Sequence, residues 1–178
     1  MRNPEELFHT SLRESCDALF ESLPLTVLAA LGRARDCALN TQQLASMVGF
    51  VSSEVKGAIT VRAPISFFSG TYPTSKKEAL GLREVSDWAA EIANQLLGRM
   101  KNMILPYGVS LSVATPATVY GNFLKEAEPR EGSLRIVFPW HDDEICVSLE
   151  MSFEPGFLLL DEPASENVPL QAGDALVF

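Results

Sequence analysis

The chain has 178 residues, a formal net charge of −9 and 47% hydrophobic residues, enough to bury one substantial core. Its acidity, with no Lys/Arg cluster against it, excludes nucleic acid as an expected partner. No stretch approaches the roughly 18 uncharged apolar residues of a membrane span, and the opening Met1-Arg2-Asn3-Pro4-Glu5-Glu6 has no long apolar run behind it. That is not a secretory signal, so the expectation is a soluble, cytoplasmic protein with no membrane contact.

Cys16, Cys37 and Cys146 form no CxxC pair, and their odd number argues against a disulfide framework; buried thiols are the expectation. His9 and His141 are far apart, and no His/Cys/carboxylate spacing resembles a metal site. There is neither a GxxxxGK[ST] loop nor a GxGxxG turn.

In chain order, residues 4–22 predict an amphipathic helix. Phe8, Leu12, Cys16, Leu19 and Phe20 recur at spacings of three and four, and Pro24 ends the pattern. Residues 24–42 are ambiguous between helix and strand. Two strands are predicted over 45–51 and 56–68, then a turn over 69–75 and a short helix over 76–80. Residues 86–104 predict a long helix with Ser86 as N-cap, stopped by Pro106-Tyr107-Gly108. The alternation in 109–113 predicts a half-buried strand, and 115–119 a loop. Strands over 133–140 and 144–153, joined by His141-Asp142-Asp143, predict a hairpin in which His141 is a solvated turn residue and not a catalytic dyad member. The domain is placed at 1–153, with 154–178 as an extension packed on it through 157–160 and 175–178.

The long helix divides by its period of about 100° per residue. Trp88, Ala89, Ile92, Leu96, Met100 and Met103 share one face, with Arg99 intruding. Asp87, Glu91, Asn94 and Gly98 form a polar stripe opposite it. A solvated helix face is the simplest account of such a stripe. Gly98 and Asn94 fit it poorly, because both are weak helix formers where Glu or Lys would solvate as well. A glycine there suits close approach by another backbone.

At these residues the sequence resembles the CheC/CheX/FliY phosphatases of bacterial chemotaxis. Their signature is Asp or Ser, three residues, Glu, two residues, Asn, and then Pro about twenty-two residues on; here it reads Asp87, Glu91, Asn94 and Pro116. Glu91-Ile92-Ala93-Asn94-Gln95-Leu96-Leu97-Gly98 is similar to the family's E-x-x-N-x-x-x-G. Ala114-Thr115-Pro116-Ala117-Thr118-Val119 resembles its T-P-P-T-V loop, and Gly57-Ala58-Ile59 its G-x-[IL] strand start. One E-x-x-N motif and no added domain resemble CheX most.

The resemblance implies an α+β, CheC-like fold, a mainly antiparallel sheet packed against long helices. It implies a phosphatase acting on the phospho-aspartate of a CheY-like response regulator, and a homodimer. Asn94 would orient the attacking water, and Glu91 would dock a lysine of the regulator. Asp87, Gly98 and Pro116 would support docking, although Asp87 reads equally as an N-terminal helix charge. No cofactor of its own is implied, since the receiver domain carries the Mg²⁺.

Two other readings stay open. A non-catalytic, dimeric interaction module in two-component signalling would suit the short, Gly/Pro-containing stretch 68–81 and the tail. A small-molecule sensor would require an apolar pocket in place of a polar stripe.

Overall fold

The computed structural model describes residues 3–23, 42–73, 80–122, 124, 130, 132–141, 143–160 and 162–163. Residues 24–41, Cys37 among them, residues 76–79 of the helix predicted over 76–80, and the segment 175–178 lie outside that set.

Helix α1 (Pro4–Ser22) has the bounds its periodicity predicts. The Asn3 side chain accepts the Glu5 N–H at 3.0 Å, and Pro4 enters the first turn, where its missing N–H costs nothing. Strand β1 (Gln42–Val51) turns into β2 (Val55–Pro64) through Ser52, whose hydroxyl oxygen accepts the N–H groups of Glu54 and Val55 at 3.1 Å each. Helices α2 (Ile65–Thr71) and α3 (Leu82–Ile104) follow, and a 3₁₀ turn (Leu105–Tyr107) closes at Gly108, φ 88°. Then come β3 (Ser112–Val113), β4 (Ala117–Asn122), β5 (Leu134–Trp140) and β6 (Asp143–Phe153). The β5–β6 turn puts His141 in the left-handed region at φ 53°, exposed as a turn residue should be.

The six strands form one antiparallel sheet in the order β3-β1-β2-β6-β5, with β4 pairing the other end of the β1 edge. Register places Leu44, Val48, Phe50, Ile59, Val61, Val147 and Leu149 on one face, all buried. Helices α1 and α3 cover that face. Phe8 stacks on Phe50 and meets Phe153 edge-on, while Phe20 meets Phe138 at 4.6 Å. At Gly57 the strands are too close for a side chain. An added Cβ would overlap the Glu150 carbonyl oxygen and the Phe50 ring. The architecture is the expected α+β arrangement of an antiparallel sheet against long helices. None of the described helices is long and apolar enough to cross a membrane.

Four local expectations are corrected. The strand over 56–68 ends at Pro64, and α2 takes over. Phe67 and Phe68 are both fully buried, which neighbours on a one-sided strand cannot be. The turn over 69–75 therefore begins only after Thr71, whose hydroxyl donates to the Phe67 carbonyl at 2.9 Å. Helix α3 has its N-cap at Gly81, not Ser86. Val85 already belongs to its buried stripe, and nothing between Leu82 and Ser86 breaks a helix. The loop over 115–119 is a strand from Ala117 onward, where Thr118, Val119 and Tyr120 are good β formers and Pro116, just ahead, needs no ladder hydrogen bond. In 109–113 the alternation holds only for Val109 and Leu111, which are buried; Val113 is exposed, and only Ser112 and Val113 pair with β1.

Cys16 and Cys146 are buried, as expected of structural thiols. Burial, then the Asp17 charge, pushes the Cys16 thiol well above its ordinary range, so it stays protonated and inert. Phe157 packs against the core and Leu159 is buried, whereas Leu158 and Leu160 are exposed.

Candidate functional site

Helix α3 is two-faced for the reason its sequence suggests. Val85, Ala89, Ile92, Ala93, Leu96, Leu97, Met100 and Ile104 are buried against the sheet and α1. Asp87 and Glu91 are exposed on the opposite side, with Asn94 and Gly98 half-buried beside them. The structure thus brings four of the five predicted positions onto one stripe. Arg99 is exposed, its charge in water as expected of a long basic side chain on an otherwise apolar flank.

The earlier helix start bears on Asp87. It is the sixth helical residue, beyond the first turn in which a carboxylate stabilises the macrodipole; Glu84 holds that position instead. The helix-charge account of Asp87 therefore fails, and its place on the stripe remains. At Gly98 an added Cβ would meet nothing within 4 Å, so no packing within the chain requires a glycine there.

The flanks of the stripe differ. On the side of Trp88 and Met103, α3 is enclosed. The Trp88 indole N–H donates to the Thr71 hydroxyl of α2 at 3.0 Å, and the Ser15 hydroxyl of α1 donates to the Met103 sulfur at 3.7 Å. The Asn94 side is about 120° away from Trp88 around the helix. Strand β4 also touches α3, while α2 and α1 hold the Trp88 and Met103 flank. Pro116 enters β4, and the Thr118 hydroxyl donates to the buried Ser46 hydroxyl at 3.1 Å, tying the strand to β1. Pro116, the fifth predicted position, thus lies not on the helix but at the entry to the strand that touches it.

Sequence reasoning missed one residue of the stripe. The Gln95 amide donates to Glu91 Oε1 at 2.9 Å, holding the carboxylate along the helix. Their spacing of four residues is the signal that would have found it. The Asn94 carboxamide offers a donor and an acceptor without titrating, Glu91 offers an oriented acceptor, and Gly98 leaves the surface low. An apolar concavity near the sheet edge, lined by Gly49, Phe50, Val51, Gly57 and Val113, is an open groove that none of the stripe residues lines.

No family model matches the sequence, and no curated protein matches it either. Solved structures do. A CheC-like superfamily protein from Shewanella sp. PV-4 superposes with a TM-score of 0.65 at 18% identity, over 85% of this chain and 99% of that one. The chemotaxis protein CheX from Vibrio vulnificus gives 0.63 at 16%, over 85% and 100%. A chain of the CheX–CheY–BeF₃–Mg²⁺ complex from Borrelia burgdorferi gives 0.57 at 18%, over 84% and 96%. At these identities the likeness is one of fold, and it spans nearly the whole of each matched protein: this chain is built on the CheC-like fold shared by CheX.

Proposed function

We propose that the chain is a response-regulator phosphatase that hydrolyses the phospho-aspartate of a CheY-like receiver domain. The observation that carries this reading is the α3 stripe. Asp87, Glu91, Asn94 and Gly98 lie together on the solvent side of a helix whose other face is wholly committed to the core. The likeness to CheX, in one case a CheX in complex with CheY, supports the same partner class.

Hydrolysis of an acyl phosphate needs a water held in line with the leaving oxygen more than it needs a strong base. Asn94 supplies that hold. Its carbonyl oxygen accepts one water proton, and its NH₂ can donate to a phosphoryl oxygen. Glu91, oriented by Gln95, pairs with a lysine beside the partner's phosphoryl group and sets the register of docking. Asp87 extends the acidic edge, and Gly98 admits the partner's backbone. Magnesium stays with the receiver domain.

The test is phosphate release from phosphorylated receiver domains, with wild-type protein and with Asn94→Ala. Faster decay with wild type, lost in Asn94→Ala, supports catalysis. Tight binding without faster decay in either protein replaces this reading with the non-catalytic interaction module.

A further inference from the structure

Strand β4 carries an aromatic residue that the phosphatase reading does not use. Tyr120 pairs with Leu44, which faces the helices and is fully buried. Cross-strand partners share a face, so Tyr120 emerges on the helix side of the sheet, yet it is 58% exposed. Among the described residues, no hydrogen bond or ring contact engages it.

Its position along α3 follows from connectivity. Helix α3 comes after α2, at the Pro64 end of β2 that is level with Gln43. It leads through Leu105–Tyr107 to β3, which pairs with Phe50 and Val51. The helix therefore runs along β1 and against β4. Tyr120 comes level with the Glu91 half of α3, and Pro116 with the Gly98 half. Among the described elements, α2 and α1 hold the Trp88 and Met103 flank of α3, which puts β4 and Tyr120 toward the other flank, the one nearer Asn94.

We propose that Tyr120 is a second anchor for the receiver domain, so that the docking surface is a cleft with an acidic wall on α3 and an aromatic wall on β4. This rests on the receiver-domain reading of the α3 stripe. The partner chemistry it fits is a basic residue beside the phosphoryl group, flanked by an apolar side chain that packs on the ring. An exposed tyrosine with a free hydroxyl is suited to this. It offers a large apolar area with little side-chain entropy to lose, and aromatic residues dominate binding energy at interfaces. Tyr120 is thus a specificity-determining residue, whereas Asn94 acts on the reacting water.

The experiment measures KM and kcat for phosphate release, and receiver binding by titration calorimetry, for Tyr120→Ala, Tyr120→Phe and Val119→Ser. Tyr120→Ala is expected to raise KM and Kd about tenfold with kcat changed less than about twofold. Tyr120→Phe, which keeps the ring, should restore most of the loss. Val119 is also exposed but alternates to the other face, so Val119→Ser should leave KM alone and serves as the control for strand integrity. If Tyr120→Ala leaves KM and Kd at wild-type values while Asn94→Ala abolishes release, the anchor is wrong and the phosphatase reading stands. An equal KM increase in Val119→Ser also overturns it, as a general loosening of β4. If wild-type protein neither binds nor dephosphorylates any receiver domain, both readings fall together.

Discussion

The two faces of α3 are made from the same helix and obey different rules. On the buried face Val85, Ala89, Ile92, Ala93, Leu96, Leu97, Met100 and Ile104 are all apolar and all excluded from water, as close packing requires, with Trp88 and Met103 half-buried at its margin and Arg99 reaching out to solvent. On the exposed face the choices run against helix stability. Asn94 and Gly98 together cost somewhat over ~1 kcal/mol relative to alanine in a helix interior. At Gly98 no packing within the chain is gained in exchange, since the space above it is open. Folding accounts for one face and not for the other, and the residues it does not account for include those to which the proposed function assigns the water and the lysine.

The comparison is broken most severely from the buried side. Leu96 is fully buried at the middle of α3, and Leu96→Ala is expected to destabilise by about 2–5 kcal/mol, read as a lower midpoint in urea unfolding. Whatever activity remains should fall only in step with the folded fraction. On the exposed side the outcome is reversed. Asn94→Ala is expected to lower the rate of phosphate release about 100-fold, and to leave the melting temperature unchanged or slightly raised, since alanine is the better helix former. A loss of stability in Asn94→Ala comparable to that of Leu96→Ala would erase the distinction between the faces.

That distinction was legible in the sequence because it depends on a period alone. The spacing of Ile92, Leu96 and Met100 places Asp87, Glu91 and Asn94 opposite them wherever the helix begins. What a period does not reveal is where an element starts, and Ser86 has the side chain of a cap without being one. The N-cap here is Gly81, which makes no side-chain hydrogen bond and leaves no chemical signature. Phe67 and Phe68 misled for a related reason. A short apolar run fits a strand and a buried helix equally, and only tertiary burial of both neighbours decides between them. Pro116 disguised β4 as a loop, although a proline at the mouth of an edge strand is compatible with pairing beyond it. The second wall of the cleft went unseen with it, because Tyr120 acquires a face only once its pairing with Leu44 is known.

Within the stripe itself, Glu91 and Asn94 should separate by kinetics. Glu91→Lys places like charge against the partner's lysine and breaks the hydrogen bond from Gln95. It is expected to weaken receiver binding about tenfold, mostly in association rate and more strongly at low salt. Asn94→Ala should lower kcat with little change in KM. Identical affinity for wild type and Glu91→Lys at low salt removes the lysine contact from the mechanism without touching the role of Asn94.

The smallest expected effect discriminates most finely, because it pulls stability and function in opposite directions. Gly57 and Gly98 are both glycines inside regular elements, but a Cβ at Gly57 would overlap backbone, whereas one at Gly98 would meet nothing within 4 Å. Gly98→Ala should therefore stabilise the protein by about 1 kcal/mol, raising its melting temperature by roughly 2–4 °C. If the partner's backbone passes over that point, the same methyl group stands in its way, and KM for phosphorylated receiver should rise. A more stable protein that docks less well is an outcome no solvated helix face can produce. A more stable protein with unchanged KM would confine the interface to the Glu91 half of the helix, where Tyr120 stands across from it.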